Sequence, residues 1–497
     1  MVLPLMLHSN PKRRKDMKNK IFIYIMMIVV LVSCESFDEI NTNPNQATDA
    51  SIQVIFPAVT ASFVYGLNGE SAQFTSILMQ YLTGVLGDQQ QVNNYAFIAD
   101  MSDATWNRFY ANCLLNIKNI KAKSQELGAT HYLGAAKIME AAVLGYSVDL
   151  WNDIPYTEAL QLDEISQPSF DSAEEIYARV QQLLDEGIAD LNSESTTSPS
   201  TNDLIYRANN ETLWRQNSLP KWIMLANALK ARYHNHLSKV DPAGSAAATL
   251  AAIDAGTFTS NADEPIVLFG SEFAGPWFPY FQTTFGENNV GISQRFIDLL
   301  RDRLDEGMDD PRLPFFVSET TAGLYVGTPN GSSSRPQGSV VPGPYLNTRE
   351  APTPVLNFSE LKFIEAEAAL RAGQQDRAAD AFNVAVAASL QRITGSSNEA
   401  YVERYGSETG ASITLERIME EKHIDLFLQA EAWTDWRRST PIGAANTVSG
   451  IPMLEPSPSN STQGAFPRRF IYPNREVVNN SANVPSVTNQ DRVFWDR

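Results

Sequence analysis

The fold of this chain can be read from FSELKFIEAEAALRAG, residues 358–373, and DRAADAFNVAVAASLQRI, residues 376–393. Both segments have a helical pattern and only a short connection separates them, which favours two antiparallel helices. Within the first segment, four residues are small or tolerant of solvent, as close packing of two helices requires: Glu365, Ala366, Glu367 and Ala369. We therefore predict a helix pair here.

Helical patterns extend outward from this pair through most of the chain. They occur at 132–150, 172–191, 219–237, 245–254, 292–304 and 414–438. Asp171 is expected to cap the helix that begins near residue 172. Antiparallel pairs of this kind resemble tetratricopeptide repeats, in which each pair buries its apolar face on its neighbour, although no strict period of about 34 residues is visible. The predicted fold class is mainly α.

Three segments interrupt the helical pattern. Residues 193–203, SESTTSPSTND, predict a surface loop. Residues 257–290 are rich in aromatic residues and punctuated by Gly and Pro, and residues 321–356 contain eleven Gly or Pro in thirty-six positions. Such a density excludes long helices. We expect loop-rich insertions at 257–290 and 321–356 within a single domain that spans 51–497.

The N-terminal segment predicts export and lipid attachment. Residues 21–32, IFIYIMMIVVLV, form an apolar run that is too short to span a membrane and is typical of a signal peptide. The run leads into Ser33 and Cys34 in a sequence that resembles a bacterial lipobox, so residues 1–33 are interpreted as a signal peptide and Cys34 as the lipidated residue. Met1–Asp16 is interpreted as an over-called extension, and residues 34–50 as an acidic, polar tether. Acidic residues directly after the lipidated cysteine resemble the signal that sends some lipoproteins to the cell's outer face.

The charge of the chain excludes one class of partner. Without residues 1–34 the protein has 32 Lys and Arg against 56 Asp and Glu, a net charge of 32 − 56 = −24. A surface this acidic repels phosphate backbones, so we expect no nucleic-acid partner.

The sequence carries no recognisable catalytic or metal-binding motif. His234 and His236 lie two apart on a predicted helix and point in opposite directions, so they cannot share a metal ion through that helix. Four acidic residues lack the spacing of a calcium loop and are interpreted as a solvated face: Asp302, Asp305, Asp309 and Asp310. Cys113 is expected to be a buried small hydrophobe. We predict a non-enzyme without cofactor or metal.

Seven segments, in order, resemble the SusD/RagB family of nutrient-binding outer-membrane lipoproteins, and the chain looks most like its divergent SusD-like branch. They are the lipobox at Cys34, FDEINTNPNQAT (37–48), VDLWNDIPYTEAL (148–160), DPRLPFF (310–316), FSELKFIEAEAALRAG (358–373), TLERIMEEKHIDLFLQAEAWTDWRR (414–438) and RVFWDR (492–497). The resemblance implies tetratricopeptide-like helix pairs that support a loop-built, irregular ligand-binding face. It also implies a SusC-like TonB-dependent transporter in the outer membrane as partner, over which the lipoprotein acts as a lid.

Carbohydrate recognition needs flat apolar faces that stack on sugar rings, flanked by groups that hydrogen-bond hydroxyls. Two loop-like stretches, 88–106 and 275–289, have this mixture, and the family's ligand contacts come from broadly these regions. The candidate ligand-binding residues are Asn93, Asn94, Tyr95, Trp277, Tyr280 and Phe281. Trp106 is expected to lie in the core, and an architectural role is expected for Trp151, Asp153 and Tyr156.

The sequence therefore predicts a cell-surface lipoprotein that binds a nutrient, expected to be an oligosaccharide, and delivers it to the transporter. Three alternatives stay open. The first is a peptide ligand, because some members of the family capture peptides. The second is a surface glycoside hydrolase, which would need two carboxylates at a fixed separation that the sequence alone does not locate. The third is a purely structural assembly protein of the transporter complex that has no ligand of its own.

Overall fold

The computed structural model describes residues 50–161, 164–270, 272–285, 287–304, 307–439, 451 and 454–497. The predicted signal peptide, Cys34 and the tether up to residue 49 lie outside these residues, as does Asp305. Residues Ile52–Arg497 form one compact unit.

Helices make up most of this unit, as the sequence predicts. In chain order they are α1 Ile52–Leu67, α2 Glu70–Leu78, α3 Gly87–Asn93, α4 Asp100–Asn107, α5 Leu115–Leu127, α6 Thr130–Trp151, α7 Ala173–Leu191, α8 Glu211–Leu213, α9 Leu219–His236, α10 Pro242–Asp254, α11 Trp277–Tyr280, α12 Gln294–Leu300, α13 Leu313–Phe316, α14 Phe358–Arg371, α15 Gln375–Thr394, α16 Glu399–Tyr405, α17 Leu415–Asp425, α18 Glu431–Ser439 and α19 Asn474–Asn479. Three π-helical segments, Arg108–Leu114, Trp214–Ser218 and Phe281–Phe285, continue neighbouring helices.

Short strands join distant parts of the chain. They are β1 Leu82–Gly84, β2 Ile266–Val267, β3 Val290–Ile292, β4 Val317–Ser318, β5 Val341–Pro342 and β6 Thr353–Pro354. They pair antiparallel as β1 with β3, β2 with β6 and β4 with β5. Four of the six strands lie in or at the edge of the predicted insertions 257–290 and 321–356, where each pairing ties loop backbone to another element.

The long helices stack in order, each against its neighbours: α5 on α6, α6 on α7, α7 on α9, α9 on α10, α10 on α14, and α14 on α15. The predicted pair at 358–393 is thus observed as α14 and α15. Stacking of this kind is typical of tetratricopeptide-like pairs. Glycine allows a close approach of two backbones in the stack, because a Cβ atom on Gly134 of α6 would lie 2.7 Å from the carbonyl oxygen of Gly187 in α7.

The start of α7 is capped differently from the prediction. Ser172, not Asp171, is the N-cap, and it forms a capping box with Glu175. Asp171 instead accepts hydrogen bonds from the backbone amides of Tyr156 and Thr157 at 2.7 and 3.0 Å. An acid near a helix start can fold back on the preceding turn, and sequence spacing alone does not separate the two arrangements.

The motif at 148–160 is architectural, as expected for Trp151 and Asp153. Trp151 is fully buried. Asp153 accepts a hydrogen bond from the backbone amide of Ala173 at 2.9 Å, which satisfies a free amide at the start of α7. The C-terminal segments close over this motif, because the amide of Phe470 donates to the carbonyl of Leu150 and the amide of Phe494 to the side chain of Asn152, both at 2.7 Å.

Glu367 of α14 is a fully buried acid. Its carboxylate accepts two hydrogen bonds from Arg438 of α18, each at 2.5 Å, and Arg438 also contacts Asp435. The pKa of Glu367 is well below its usual range: burial opposes this shift, and Arg438 and Arg371 outweigh the burial. A buried charge of this kind survives because it is paired.

The predicted surface loop at 193–203 is only partly exposed. Its last residue, Asp203, is fully buried and accepts hydrogen bonds from the indoles of Trp214 and Trp222, each at 2.7 Å. Burial raises the pKa of this carboxyl. Cys113 is buried as predicted, and burial raises the pKa of its thiol to about 12.

Residues 52–78 are long and apolar enough to cross a membrane by length and composition alone. Within the structure they belong to the core instead: Phe56, Phe63 and Ile77 are almost completely buried against other elements. Length and apolar composition alone do not distinguish a buried core helix from a membrane span.

His236 of α9 lies in a buried network of charges. Its Nε2 atom is 2.9 Å from Glu431, and its Nδ1 atom is 3.4 Å from Asp149. Burial alone lowers the pKa of the imidazole, but Glu431 and Asp149 outweigh it and raise the pKa to about 9. The ring is therefore charged at neutral pH.

Replacing Gly134 by Ala tests the close approach of α6 and α7. Helix propensity favours Ala over Gly by about 1 kcal/mol, yet we expect a net loss of about 1–3 kcal/mol in unfolding free energy because the new Cβ meets backbone. Chemical denaturation measures the change. Gly270→Ala is the control, since its Cβ would meet no atom within 4 Å. A Gly134→Ala protein as stable as the parent would contradict the packing.

His236 also makes stability depend on pH. A folded pKa of about 9 lies above the ordinary value of 6.5. The stabilisation is therefore complete below pH 6.5 and is lost as the pH rises towards 9. We expect denaturant midpoints to fall over this window and His236→Asn to flatten that fall.

The control for this experiment lies two residues away in the sequence. Burial lowers the pKa of His234 to about 4, so this ring is neutral throughout the window. His234→Asn should leave the slope between pH 6.5 and 9 unchanged. An equal effect of the two substitutions would refute the assignment to His236.

Candidate ligand-binding cleft

The pairing of β1 with β3 brings together the two loop segments that the sequence singles out. Residues 82–84 pair with residues 290–292. The amides of Val85 and Leu86 then both donate to the carbonyl of Asn289, at 2.9 and 3.2 Å. The start of the 88–106 segment therefore lies beside the end of the 275–289 segment.

The Gly- and Pro-rich insertion 321–356 packs on the same strand pair. Thr328 is the centre of this contact: its amide donates to the carbonyl of Ile292 at 2.7 Å, and its carbonyl accepts from the hydroxyl of Thr83 at 3.0 Å. Gly291 leaves no room for a side chain, because a Cβ there would collide with Thr328. Three loop segments thus meet at one place.

An open cleft of about 450 Å³ lies where these segments meet. It is lined by Leu86, Glu287, Asn288, Ser333, Ser334, Arg335, Pro336, Gln337, Gly338 and Ser339. Its volume falls within the usual range for sites that bind small molecules. Leu86 is 55% exposed and gives the cleft an apolar wall.

Arg335 is held in place at the base of this cleft. One guanidinium nitrogen donates to the carbonyl of Val340 at 3.2 Å and to the hydroxyl of Ser339 at 3.3 Å, and the other lies 3.5 Å from the side-chain oxygen of Asn288. Burial lowers the pKa of this guanidinium. The contacts fix a planar donor between the insertion and the end of the 275–289 segment.

The chemistry of the cleft suits a ligand rich in hydroxyl groups. A guanidinium donates, a carboxylate accepts, and amides and serine hydroxyls do both. Leu86 offers an apolar surface to the less polar face of such a ligand. These groups can hydrogen-bond and orient a ligand without transforming it.

The residues proposed from the first loop segment do not line this cleft. Asn93 is buried and donates to Asn330 of the insertion at 3.2 Å. Half-buried Asn94 accepts from Ser457 at 2.7 Å. Tyr95 is buried with its ring packed 5.1 Å from that of Phe466. All three hold the segment in position in this conformation, and their contact with ligand stays a prediction.

The residues proposed from the second segment form a buried aromatic cluster. Trp277 exposes 3% of its surface, and its ring lies 5.6 Å from Tyr280 and 5.5 Å from Phe281, both also buried. The hydroxyl of Tyr280 has no hydrogen-bond partner among the described residues. These rings do not line the cleft, and no stacking face is open to a sugar in this conformation.

Phe273 is an exposed aromatic residue that the sequence reasoning missed. It is 63% exposed, and its ring lies 6.2 Å from Phe269 and 6.4 Å from Tyr65. Glycines at 270 and 275 flank it, the same signal of irregular backbone that drew attention to Trp277. Phe273 lies just before the 275–289 stretch, and the sequence pattern does not indicate which ring of this region reaches solvent.

The other residues singled out by the sequence have structural surroundings. The predicted core residue Trp106 is buried and stacks on Tyr110 at 4.5 Å. Asp310, expected on a solvated face, is instead fully buried in a salt bridge of 2.7 Å with Arg312. In the part of the chain that the structure describes, no group of three or more His, Cys, Asp or Glu residues could hold a metal ion.

Stacked helix pairs that carry a cleft built from three loop segments define a helical-repeat binding protein. The sequence profile of the SusD-like family, described as starch-binding associating with outer membrane, matches residues 44–473. The chain belongs to this family, whose members are nutrient-binding proteins at the outer membrane. Among curated proteins no match is found.

Solved structures show the same fold. A SusD/RagB family protein from Bacteroides thetaiotaomicron has a TM-score of 0.73 and 21% identity, over 90% of this chain and 99% of the other. A chitin-binding protein has a TM-score of 0.71 and 24% identity, over 89% and 100%. A chitin-binding SusD homologue from Flavobacterium johnsoniae has a TM-score of 0.70 and 19% identity, over 90% and 97%.

Burial distinguishes aromatic residues of 257–290 that stabilise the core from those that lie at the surface. Trp277→Ala should lower the unfolding free energy by about 3–5 kcal/mol because it empties a packed site. Phe273→Ala, the exposed counterpart, should change it by about 0.5 kcal/mol or less. Thermal unfolding of the two variants measures the difference. An unchanged melting temperature for Trp277→Ala would show that this ring is not part of the core.

Proposed function

We propose that this protein is a lipoprotein, anchored through Cys34 on the outer face of the outer membrane, that captures an oligosaccharide in the loop-built cleft. It then delivers the ligand to a SusC-like TonB-dependent transporter. The protein binds the sugar and leaves its glycosidic bonds intact.

The convergence of three loop segments carries this proposal. Leu86, Asn288 and Arg335 come from separate segments, and strand pairing and the bonds of Thr328 place them in one open cleft. Binding sites are commonly built on loops positioned by a rigid scaffold. Here the scaffold is the helix stack, and the site presents a mixed polar and apolar lining to solvent.

Family membership supports a carbohydrate ligand, since the family is described as starch-binding. Two of the structural neighbours are described as chitin-binding. Starch and chitin fragments are therefore the first ligands to test. The acidic tether and the predicted lipidation at Cys34 support attachment to the membrane surface, and the SusD-like resemblance supports the transporter as partner.

The cleft can be tested with a variant that changes its lining and leaves its backbone in place. Asn288 has a φ of 62°, which glycine adopts without strain. We expect Leu86→Ser combined with Asn288→Gly to weaken oligosaccharide binding about tenfold or more, since it removes an apolar wall and a hydrogen-bonding amide. Isothermal titration with maltooligosaccharides and chitooligosaccharides measures the affinity.

Gln463→Gly is the matched control, because Gln463 is an exposed amide with a φ of 55° that does not line the cleft. Its affinity should equal that of the parent. A panel of short peptides and an assay for released reducing ends run beside the titrations. Peptide binding without sugar binding would show that the ligand is a peptide and not an oligosaccharide. Released reducing ends would show that the protein is a hydrolase and not a binding protein.

A further inference from the structure

A second and larger pocket, of about 600 Å³, opens away from the loop-built cleft. Its lining comes from α5, from α6 and from residues 156–161, together with Leu114 and Glu164, and it includes Lys118, Lys121, Glu140, Tyr156 and Leu160. None of these residues lines the cleft at Leu86 and Asn288. The pocket is therefore a separate feature.

The floor of this pocket is a hydrogen-bonded set of three side chains. Glu140 is buried, with one carboxylate oxygen 2.5 Å from the ammonium of Lys121 and the other accepting from the hydroxyl of Tyr156 at 3.1 Å. The charges of Glu140 and Lys121 balance. Both carboxylate oxygens are satisfied, so the floor is fixed before any ligand arrives.

Lys118 stands at the mouth of the pocket without a carboxylate partner among the described residues. This is unusual in so acidic a protein. Seven other lysines in the described part of the chain lie within 4.0 Å of an acid: Lys121, Lys137, Lys221, Lys230, Lys239, Lys362 and Lys422. Lys118 instead donates to the neutral carbonyl of Leu160 at 2.6 Å.

The backbone that receives this bond is held in a costly conformation. Leu160 has a φ of 62°, in the left-handed region that a side chain with a Cβ rarely adopts. Strain of this kind persists where surrounding contacts enforce it, and it clusters at ligand sites. The bond to Leu160 positions the ammonium, and two of its three N–H groups remain for a ligand.

Two lysines and two acids line the pocket: Lys118, Lys121, Glu140 and Glu164. Buried Glu140 neutralises Lys121, with which it forms a salt bridge. Lys118 and Glu164 are both exposed, so water and salt screen both charges, and no salt bridge joins the two among the described residues. The ammonium of Lys118 is therefore the group in this pocket that is open to an anionic group of a ligand.

We propose that this pocket is a second saccharide subsite that takes the carboxylate of a uronic acid unit at Lys118. The proposal rests on the oligosaccharide-binding function proposed for the cleft and adds a class of substrate to it. Tyr156, Thr157 and Gln161 supply hydroxyl and amide groups for the sugar's hydroxyls, and Leu114 supplies an apolar wall. The volume accommodates a short oligosaccharide.

The test compares trigalacturonic acid with its carboxyl-reduced, neutral form by isothermal titration. The parent protein should bind the acid more tightly. Lys118→Gln should weaken binding of the acid roughly three- to tenfold, as expected for a hydrogen bond to a charged group that is partly screened. Lys118→Arg keeps the charge and should retain most of the affinity.

Two further variants make the test specific. Lys230→Gln removes the same charge on α9, outside the pocket, and should leave the affinity for the acid unchanged. The cleft variant Leu86→Ser with Asn288→Gly should keep the preference for the acid over the neutral form. Reductive dimethylation of Lys118, followed by mass spectrometry, should slow when the acid is bound.

The outcomes distinguish the two proposals. If maltooligosaccharides or chitooligosaccharides bind at the cleft but the acid binds no better than its neutral form, the second subsite is refuted and the proposed function stands. A Lys118→Gln protein that binds the acid as tightly as the parent would refute the subsite in the same way. Tighter, Lys118-dependent binding of an acidic tripeptide would overturn the saccharide assignment. Absence of binding to every saccharide would overturn both proposals.

Discussion

The assembly of the helical body depends on the contacts of one buried side chain, Arg437. Its guanidinium lies between the indoles of Trp433 and Trp495, 3.6 and 4.6 Å from the ring centres. It donates to the carbonyls of Asp149 at 2.6 Å and Arg468 at 2.9 Å. One fully buried side chain thus joins the end of α6, α18, the segment after residue 454 and the C-terminus. Burial lowers the pKa of this group to about 10. Ring faces and backbone carbonyls contact this cation directly, and no salt bridge joins it to an acid among the described residues, while Asp149 and Asp496 stabilise its charge from a greater distance.

The helical part of the fold could be predicted because its signal is local. Apolar spacing within one segment defines a helix, and short connections between segments define pairs, as for α14 with α15. Local pattern is not sufficient where a tertiary partner decides the outcome. Glu367 has the residue type of a solvated position, but Arg438, more than seventy residues later in the chain, pairs with it inside the core. Ser172 and Asp171 could each cap α7, and the choice depends on the backbone of Tyr156, which lies fifteen residues away from Asp171.

The cleft could be predicted only at the level of segments. Gly and Pro around Trp277 correctly indicate irregular backbone, but irregular backbone can cover a core as well as face solvent. Trp277 is buried, whereas Phe273, with the same kind of neighbours, is exposed to solvent. Leu86, Asn288 and Arg335 carry no local signal that they share a site, because the strand pairing and the bonds of Thr328 bring them together. Lys118 is distinguished only by the lack of a carboxylate partner among the described residues, and the sequence alone does not show which side chains surround it.

The β1–β3 pairing has a consequence for how the protein acquires its binding site. The last residue of β1 and the first of β3 are Gly84 and Val290, 290 − 84 = 206 positions apart. Except for that of α10 with α14, the contacts between neighbouring helices of the stack close much shorter loops. Because long-range contacts form slowly relative to local ones, the helix stack should assemble first and the cleft last. A chain at that stage of folding would then be a nearly complete scaffold with no cleft, and competence to bind a ligand would mark the end of its folding.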